Sequence, residues 1–185
     1  VMVLLWILSI SQAVLMMVEP VSAILLIHYP FMGLSTGQSL AILIMISLLH
    51  VILGGLLSGF LSKKISIRLN IYWSLLMEFL IVIGFLRGSF LLILLGSAGD
   101  ALSAGVLSPR LQAMIFGIIP EELMGSVQSS INVINLLIPA VLSLALVFLA
   151  TSAGLKVVAF ALIILLLIAV YLVHQMKNLP NQEEV

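Results

Sequence analysis

The chain has 185 residues, of which 63% are hydrophobic and 8% charged, and its formal net charge is zero. A soluble domain carries about 25% charged residues, so this surplus of apolar side chains excludes a single soluble core and points to an all-α polytopic membrane protein. Zero net charge leaves no basic footprint for nucleic acid, and the lack of cysteine excludes a disulfide frame and a thiolate metal site.

A spanning helix needs about 20 mostly apolar residues, and residues 1–176 divide into six such spans. The first, Met2–Ile27, follows Val1 with no basic leader of the kind a signal peptide has. The expectation is therefore a fragment or a half of a longer protein, the alternative being a gene that starts at an unusual codon encoding Val. Gln12 and Glu19 are seven apart and share a face of this span, and Glu19 precedes Pro20. The second span, Ser39–Leu61, carries Ser47, His50, Gly54 and Ser58 on one face. It also holds Gly55 and Gly59 at the GxxxG spacing, which is read as a packing pair.

The third span is short, Ile71–Phe85, with Tyr72 and Trp73 at its interfacial end and Glu78 near its centre. It shows few other polar groups, so Glu78 is read as a packed, hydrogen-bonded residue. The fourth, Phe90–Phe116, carries a small and polar row of Gly96, Asp100, Ala104 and Ser108, joined by Ser97 and Ser103. Asp100 is ten residues into it, about 15 Å deep at about 1.5 Å per residue. The fifth, Ser126–Ala150, holds Gln128, Asn132, Asn135 and Pro139 at spacings of four, three and four, hence on one face. This amide row is read as lining a water-filled cavity, with helix packing as the alternative. The sixth, Leu155–His174, is apolar all round after Lys156 and is expected to face lipid. A short polar tail, 177–185, ends the chain.

The connections are short and rich in Gly, Pro, Ser and Asn, so neighbouring spans run antiparallel. Lys63, Lys64, Arg68, Arg110 and Lys177 fall at one end of the bundle, Arg87 and Lys156 at the other. The positive-inside tendency then makes both termini cytoplasmic, in a multi-pass protein of the cell membrane.

Five ionisable residues fall within the spans: Glu19, His50, Glu78, Asp100 and Arg110. An Asp or Arg at a helix centre costs about 2.5–3.5 kcal/mol to insert, and such residues mark ion or substrate paths. The site candidates are Glu19 and Asp100 foremost, each among helix breakers, with Gln12, His50, Gln128, Asn132 and Asn135 as polar lining. Breakers in corresponding helices of two internal halves point to a transporter site, here the first helices of two three-helix repeats. Enzyme readings find no footing. "GLSTG", Gly33–Gly37, is not an intramembrane-protease nucleophile motif, and no HExxH, Walker A or dinucleotide fingerprint occurs. No metal site and no cofactor is expected, and "GSAGD" is read as close helix packing.

The segment "SPRLQAMIFGIIPEELMGSVQSSINVINLLIPA", Ser108–Ala140, resembles the major facilitator superfamily, in particular its macrolide-efflux and enterobactin-exporter branch. The resemblance rests on Pro120, Glu121, Glu122, Leu123, Gly125, Val127 and Pro139. "GFLSKKISIRLN", Gly59–Asn70, is similar to that family's basic loop at Gly59, Leu61, Lys64 and Arg68. It departs at Lys63, where the family has Asp, and at Ser66, where it has Gly; Met124 and Ser126 stand where basic residues are expected.

The resemblance implies the C-terminal six-helix half of a twelve-helix carrier, with its first and fourth helices lining the cavity. The implied function is proton-coupled efflux of a hydrophobic or cationic small molecule by alternating access. The implied partners are the lipid bilayer, the small-molecule substrate, protons, and an N-terminal six-helix half or a second copy. The alternatives are a six-span substrate-binding subunit of a vitamin-uptake transporter and an inactive gene remnant.

Overall fold

The computed structural model describes residues 2–61, 63–118, 122 and 124–175; the tail, together with Pro120, Glu121 and Leu123, lies outside the described residues. Six long helices make up the chain in the order α1 (Met2–His28), α2 (Thr36–Leu61), α3 (Ile67–Arg87), α4 (Phe90–Ile118), α5 (Met124–Ala153) and α6 (Leu155–Gln175). Each is long and apolar enough to cross a membrane, and among the described residues there is no strand. The protein is an all-α polytopic membrane protein.

The helix ends follow from local chemistry. Ser35 and Gln38 form a reciprocal capping box before α2: Gln38 N–H donates to Ser35 Oγ at 3.3 Å and Ser35 N–H to Gln38 Oε1 at 3.0 Å. This accounts for the polar "STGQ" of the first connection. Ser66 caps α3, its Oγ accepting from Leu69 N–H at 3.2 Å. Gly88 ends α3 with φ of 64°. Its N–H donates to Phe85 O while Ser89 N–H reaches back to Gly84 O, the Schellman arrangement that a left-handed residue permits.

The third span is thus longer than the hydropathy of its sequence suggests. Its extra first turn carries Arg68 and Asn70, which look like loop residues but are bonded to neighbouring helices. Arg68 Nη2 donates to His174 O at 3.3 Å, and Asn70 is buried against α4.

Helix α4 is sandwiched between α2 and α3; α3 also packs on α6, and α1 packs on α5 and α6. Exchanging α1, α2, α3 for α4, α5, α6 turns the α2–α4 contact into α5–α1 and α3–α4 into α6–α1. The α3–α6 and α1–α4 contacts map onto themselves. Equivalent partners are three helices apart in the chain order, so they run in opposite directions through the bundle.

The α2–α4 contact is set by Gly54 and Gly105. A Cβ on Gly54 would collide with the Leu102 carbonyl, and one on Gly105 would lie 3.0 Å from Gly54 Cα. Ser58 Oγ donates to Val106 O at 3.2 Å beside them. The expected GxxxG pair is not the contact: a Cβ on Gly55 or Gly59 meets nothing within 4 Å, because those residues are turned about 100° away from the Gly54 face. Helix α6 buries a stripe of Val158, Ala159, Leu162, Leu166, Ala169 and Val173 and exposes Phe160, Ile164, Leu167 and Tyr171. It therefore faces outward on one side only. Helices α2 and α5 are the least covered.

Both ends of the bundle are tied. At one end Arg68 meets His174 and Arg110 Nη1 donates to Ile65 O at 2.8 Å. At the other, the Phe31 and Phe90 rings sit 5.0 Å apart. Lys63, Lys64, Arg68 and Arg110 share the first end, Arg87 and Lys156 the second. Cysteines placed at Ser89 and Ser152 are expected to react with an impermeant reagent from the same, non-cytoplasmic face; labelling of both from the cytoplasm alone overturns that orientation.

Overpacking costs on the order of 1–3 kcal/mol, so Gly54→Ala and Gly105→Ala should each destabilise the chain by about that much in detergent unfolding. Gly55→Ala should stay within about 0.5 kcal/mol of the parent.

Candidate functional site

Asn70, Ser74 and Glu78 recur every four residues and lie on one face of α3, and Ser103, Asp100 and Ser97 recur every three on α4. The two faces meet in an antiparallel polar seam. Its first rung is Asn70 with Ser103: Ser103 Oγ donates to Asn70 Oδ1 at 2.7 Å, and Asn70 Nδ2 donates to Ser103 O at 3.3 Å. One turn on, the Ser74 hydroxyl donates to Asp100 Oδ1. One turn further, the register sets Glu78 level with Ser97. There Glu78 Oε1 accepts from the hydroxyl of Ser11 on α1.

The helices approach closely because α4 has no side chain at two points of the seam. A Cβ on Gly96 would sit 2.7 Å from both Met77 O and Ile81 Cγ1 of α3, and one on Gly99 would strike the Met77 sulfur. The close-packing reading of "GSAGD" is thereby explained: its glycines admit α3, and its Asp rests against the Ser that α3 brings.

Glu78 is 0% and Asp100 2% exposed, and Glu78 lies one helical turn along α3 from the Ser74 that donates to Asp100. Each has one hydroxyl donor from a neighbouring helix. Among the described residues Glu78 Oε2 and Ser97 Oγ are buried without a hydrogen-bond partner. Beside the seam, between α1, α3 and α4, is a small cavity of about 20 Å³ lined by Ile7, Leu8, Ser11, Ile71, Ser74, Leu75 and Leu107. That is room for about one water, next to two hydroxyls that each serve a carboxyl. Among the described residues no group of three or more His, Cys, Asp or Glu could hold a metal ion.

The other sequence candidates lie elsewhere. Gln12 and Glu19 are on the exposed face of α1, so Glu19 does not share a space with Asp100. His50 is half-buried on α2, its Nδ1–H donating to Ile46 O at 2.7 Å. Gln128 Nε2 donates to Asn132 Oδ1 at 3.2 Å along the open side of α5, and the half-buried Asn135 has its Oδ1 without a hydrogen-bond partner among the described residues.

The structure thus joins Asp100 to Ser74 and Glu78 to Ser11, along one seam. The i, i+4, i+8 row of Asn70, Ser74 and Glu78 is the signal that could have found them; starting the span at Ile71 cut its first member off. Ser11 carries no such signal. The chain matches no protein-family model, no curated protein and no solved structure.

Interhelical hydrogen bonds in membranes contribute about 0.6 kcal/mol on average and up to about 1.7. A double-mutant cycle of Asn70→Ala and Ser103→Ala should give a coupling energy of about 0.5–2 kcal/mol in detergent unfolding. Glu19→Gln, on the exposed face, should leave stability within about 0.5 kcal/mol. Additive effects at the first pair would remove the rung from the seam.

Proposed function

We propose that the chain is one six-helix half of a secondary active transporter. It works by alternating access and exports a hydrophobic or cationic small molecule against inward proton movement in the cell membrane. The observation that carries this reading is that the α2–α4 contact exchanges with α1–α5, and α3–α4 with α1–α6, when α1–α3 are swapped for α4–α6, while among the described residues α1–α2, α1–α3 and α5–α6 have no such counterpart. Inverted three-helix repeats of this kind place substrate and coupling-ion sites near the midplane, where the repeats meet.

A second feature supports it. Glu19 and Gln12 stand on the exposed face of α1, and Gln128 and Asn132 lie on the side of α5, the helix packed beside it. A carboxylate at such a position is costly against lipid and normally faces protein or a water-filled space. A second six-helix unit, either a companion half or another copy, covers that surface and completes a central cavity. Transport at the level of the whole carrier then couples substrate movement on the α1 side to protonation within the bundle.

The test uses purified chain in proteoliposomes with an imposed proton gradient and a fluorescent cationic dye. A dilute monomer is expected to be inactive. The chain assembled with its companion half or with a second copy should extrude dye, and dissipating the gradient should abolish this. In that assembly Asp100→Asn should lower proton-driven efflux at least about tenfold, a barrier change of about 1.4 kcal/mol, at unchanged membrane level. Transport by a proven monomer, or assembled carrier in which Asp100→Asn transports normally across a range of external pH, overturns the proposal as stated.

A further inference from the structure

The seam poses an electrostatic problem that its own residues do not solve. Two carboxyls lie fully inside the bundle on facing helices, about one helical turn apart along the seam. Every element packed around them brings charged or titratable groups, and none of the basic ones is placed to neutralise the pair. On α4, Arg110 is ten residues from Asp100, about 15 Å along the helix, with its Nη1 on Ile65 O. On α3, Arg68 is held at the basic end by Tyr72 Oη and His174 O, and Arg87 is exposed at the far end. Helix α1 offers Glu19 and His28, and α6 offers Lys156 and His174, all exposed. On α2, His50 is engaged with Ile46 O. Two like charges sharing a buried site cannot both persist. One positive charge has to be taken up.

The geometry says where it comes from. Ser11 and Ser74 each donate to one carboxyl, and both hydroxyls also line the water-sized cavity. Ile71 and Leu107, which line the same cavity, lie about one turn and two turns nearer the basic end than Ser74 and Asp100. The cavity is therefore on the basic-end side of the pair. Glu78 Oε2, buried and without a hydrogen-bond partner among the described residues, is an oxygen with room for a hydrogen.

We infer that Glu78 and Asp100 form one buried carboxyl pair that shares a single exchangeable proton, reached from the basic end of the bundle through the Ser11 and Ser74 hydroxyls. In uptake a cavity water carrying an extra proton passes a hydrogen to a serine oxygen, which gives its own hydrogen to the carboxylate. One O–H bond forms on the carboxyl, one breaks on the water, and each serine ends as it began. Release is the reverse. This deepens the carrier reading by naming its coupling site, but the readout below needs no substrate and no partner, so failure of transport and failure of the proton pair are separately visible.

The experiment is infrared difference spectroscopy of the full chain in lipid vesicles, titrated in potassium buffers, following the carbonyl band of protonated carboxyl groups. The wild type should show one protonated carboxyl per chain that is lost on raising pH and shifts in heavy water. The double variant Glu78→Gln, Asp100→Asn should lack the band, and each single variant should displace the titration of the carboxyl that remains. Glu19→Gln should leave the band unchanged.

Because removing a carboxyl could unfold the bundle, Ser11→Ala and Ser74→Ala provide a milder reading: each keeps both carboxyls and should move the band. A band that neither serine variant moves, single variants that titrate independently, or the absence of a protonated carboxyl at neutral pH would each overturn the inference. So would release of the proton on replacing potassium by sodium at fixed pH, which would make the pair a metal-cation site.

Discussion

The α3–α4 seam is governed by one constraint: a polar group that cannot reach water inside a membrane must find its partner within the protein. Asn70, Ser74 and Glu78 on one helix and Ser103, Asp100 and Ser97 on the other are costly one by one. Set in register, most of them satisfy each other. The glycines at 96 and 99 make that possible, since a Cβ at either position would hold the helices apart. The seam fixes the rotation of α3 about its axis. With that set, Arg68 reaches the end of α6 and Glu78 turns to meet α1.

The two halves of the bundle are alike in part of their layout and unlike in content. By the exchange that relates them, the counterpart of the α3–α4 contact is the contact between α6 and α1. The buried stripe of α6, Val158, Ala159, Leu162, Leu166, Ala169 and Val173, packs among α1, α3 and α5 and relies on dispersion between close-packed apolar side chains. One contact between the halves is thus apolar on its α6 side, and the other is a polar seam with one carboxyl from each half. The fold also separates two sets of polar residues that the sequence invites one to merge. Glu19 and Gln12 look outward from α1, while Asp100 and Glu78 look inward.

Legibility in the sequence followed the physics of each feature. Hydropathy depends on composition along the chain, so the six helices and most of their ends could be read directly; the exception was α3, whose first turn is polar for reasons that lie on α4 and α6. The close packing of "GSAGD" could be anticipated from small residues. The choice between Gly54 and Gly55 could not, since they differ by one residue and thus by about 100° of rotation. The orientation of α2 decides it, and that is set by Gly105 and Val106 on another helix. Asp100 was conspicuous because a lone carboxylate in an apolar run is expensive. Glu19 is equally conspicuous, yet it lies on the exposed face of α1; cost per residue is visible in a sequence and proximity is not.

By itself, then, the sequence determined that this is a membrane protein of six helices, which end carries the basic residues, and that its buried carboxylates need an explanation. These are properties of local composition and spacing, and every contact they require is within a few turns of chain. Only the tertiary structure decided which carboxylates are neighbours and what they touch. Ser11 and Glu78 are 67 residues apart, and Ser74 and Asp100 are 26 apart on facing helices. Whether such groups meet depends on the rotation and register of helices that are each apolar on nearly every side. Hydrophobicity, the strongest signal in this chain, says almost nothing about those two quantities; close packing at a few glycines and the pairing of a few polar side chains set them.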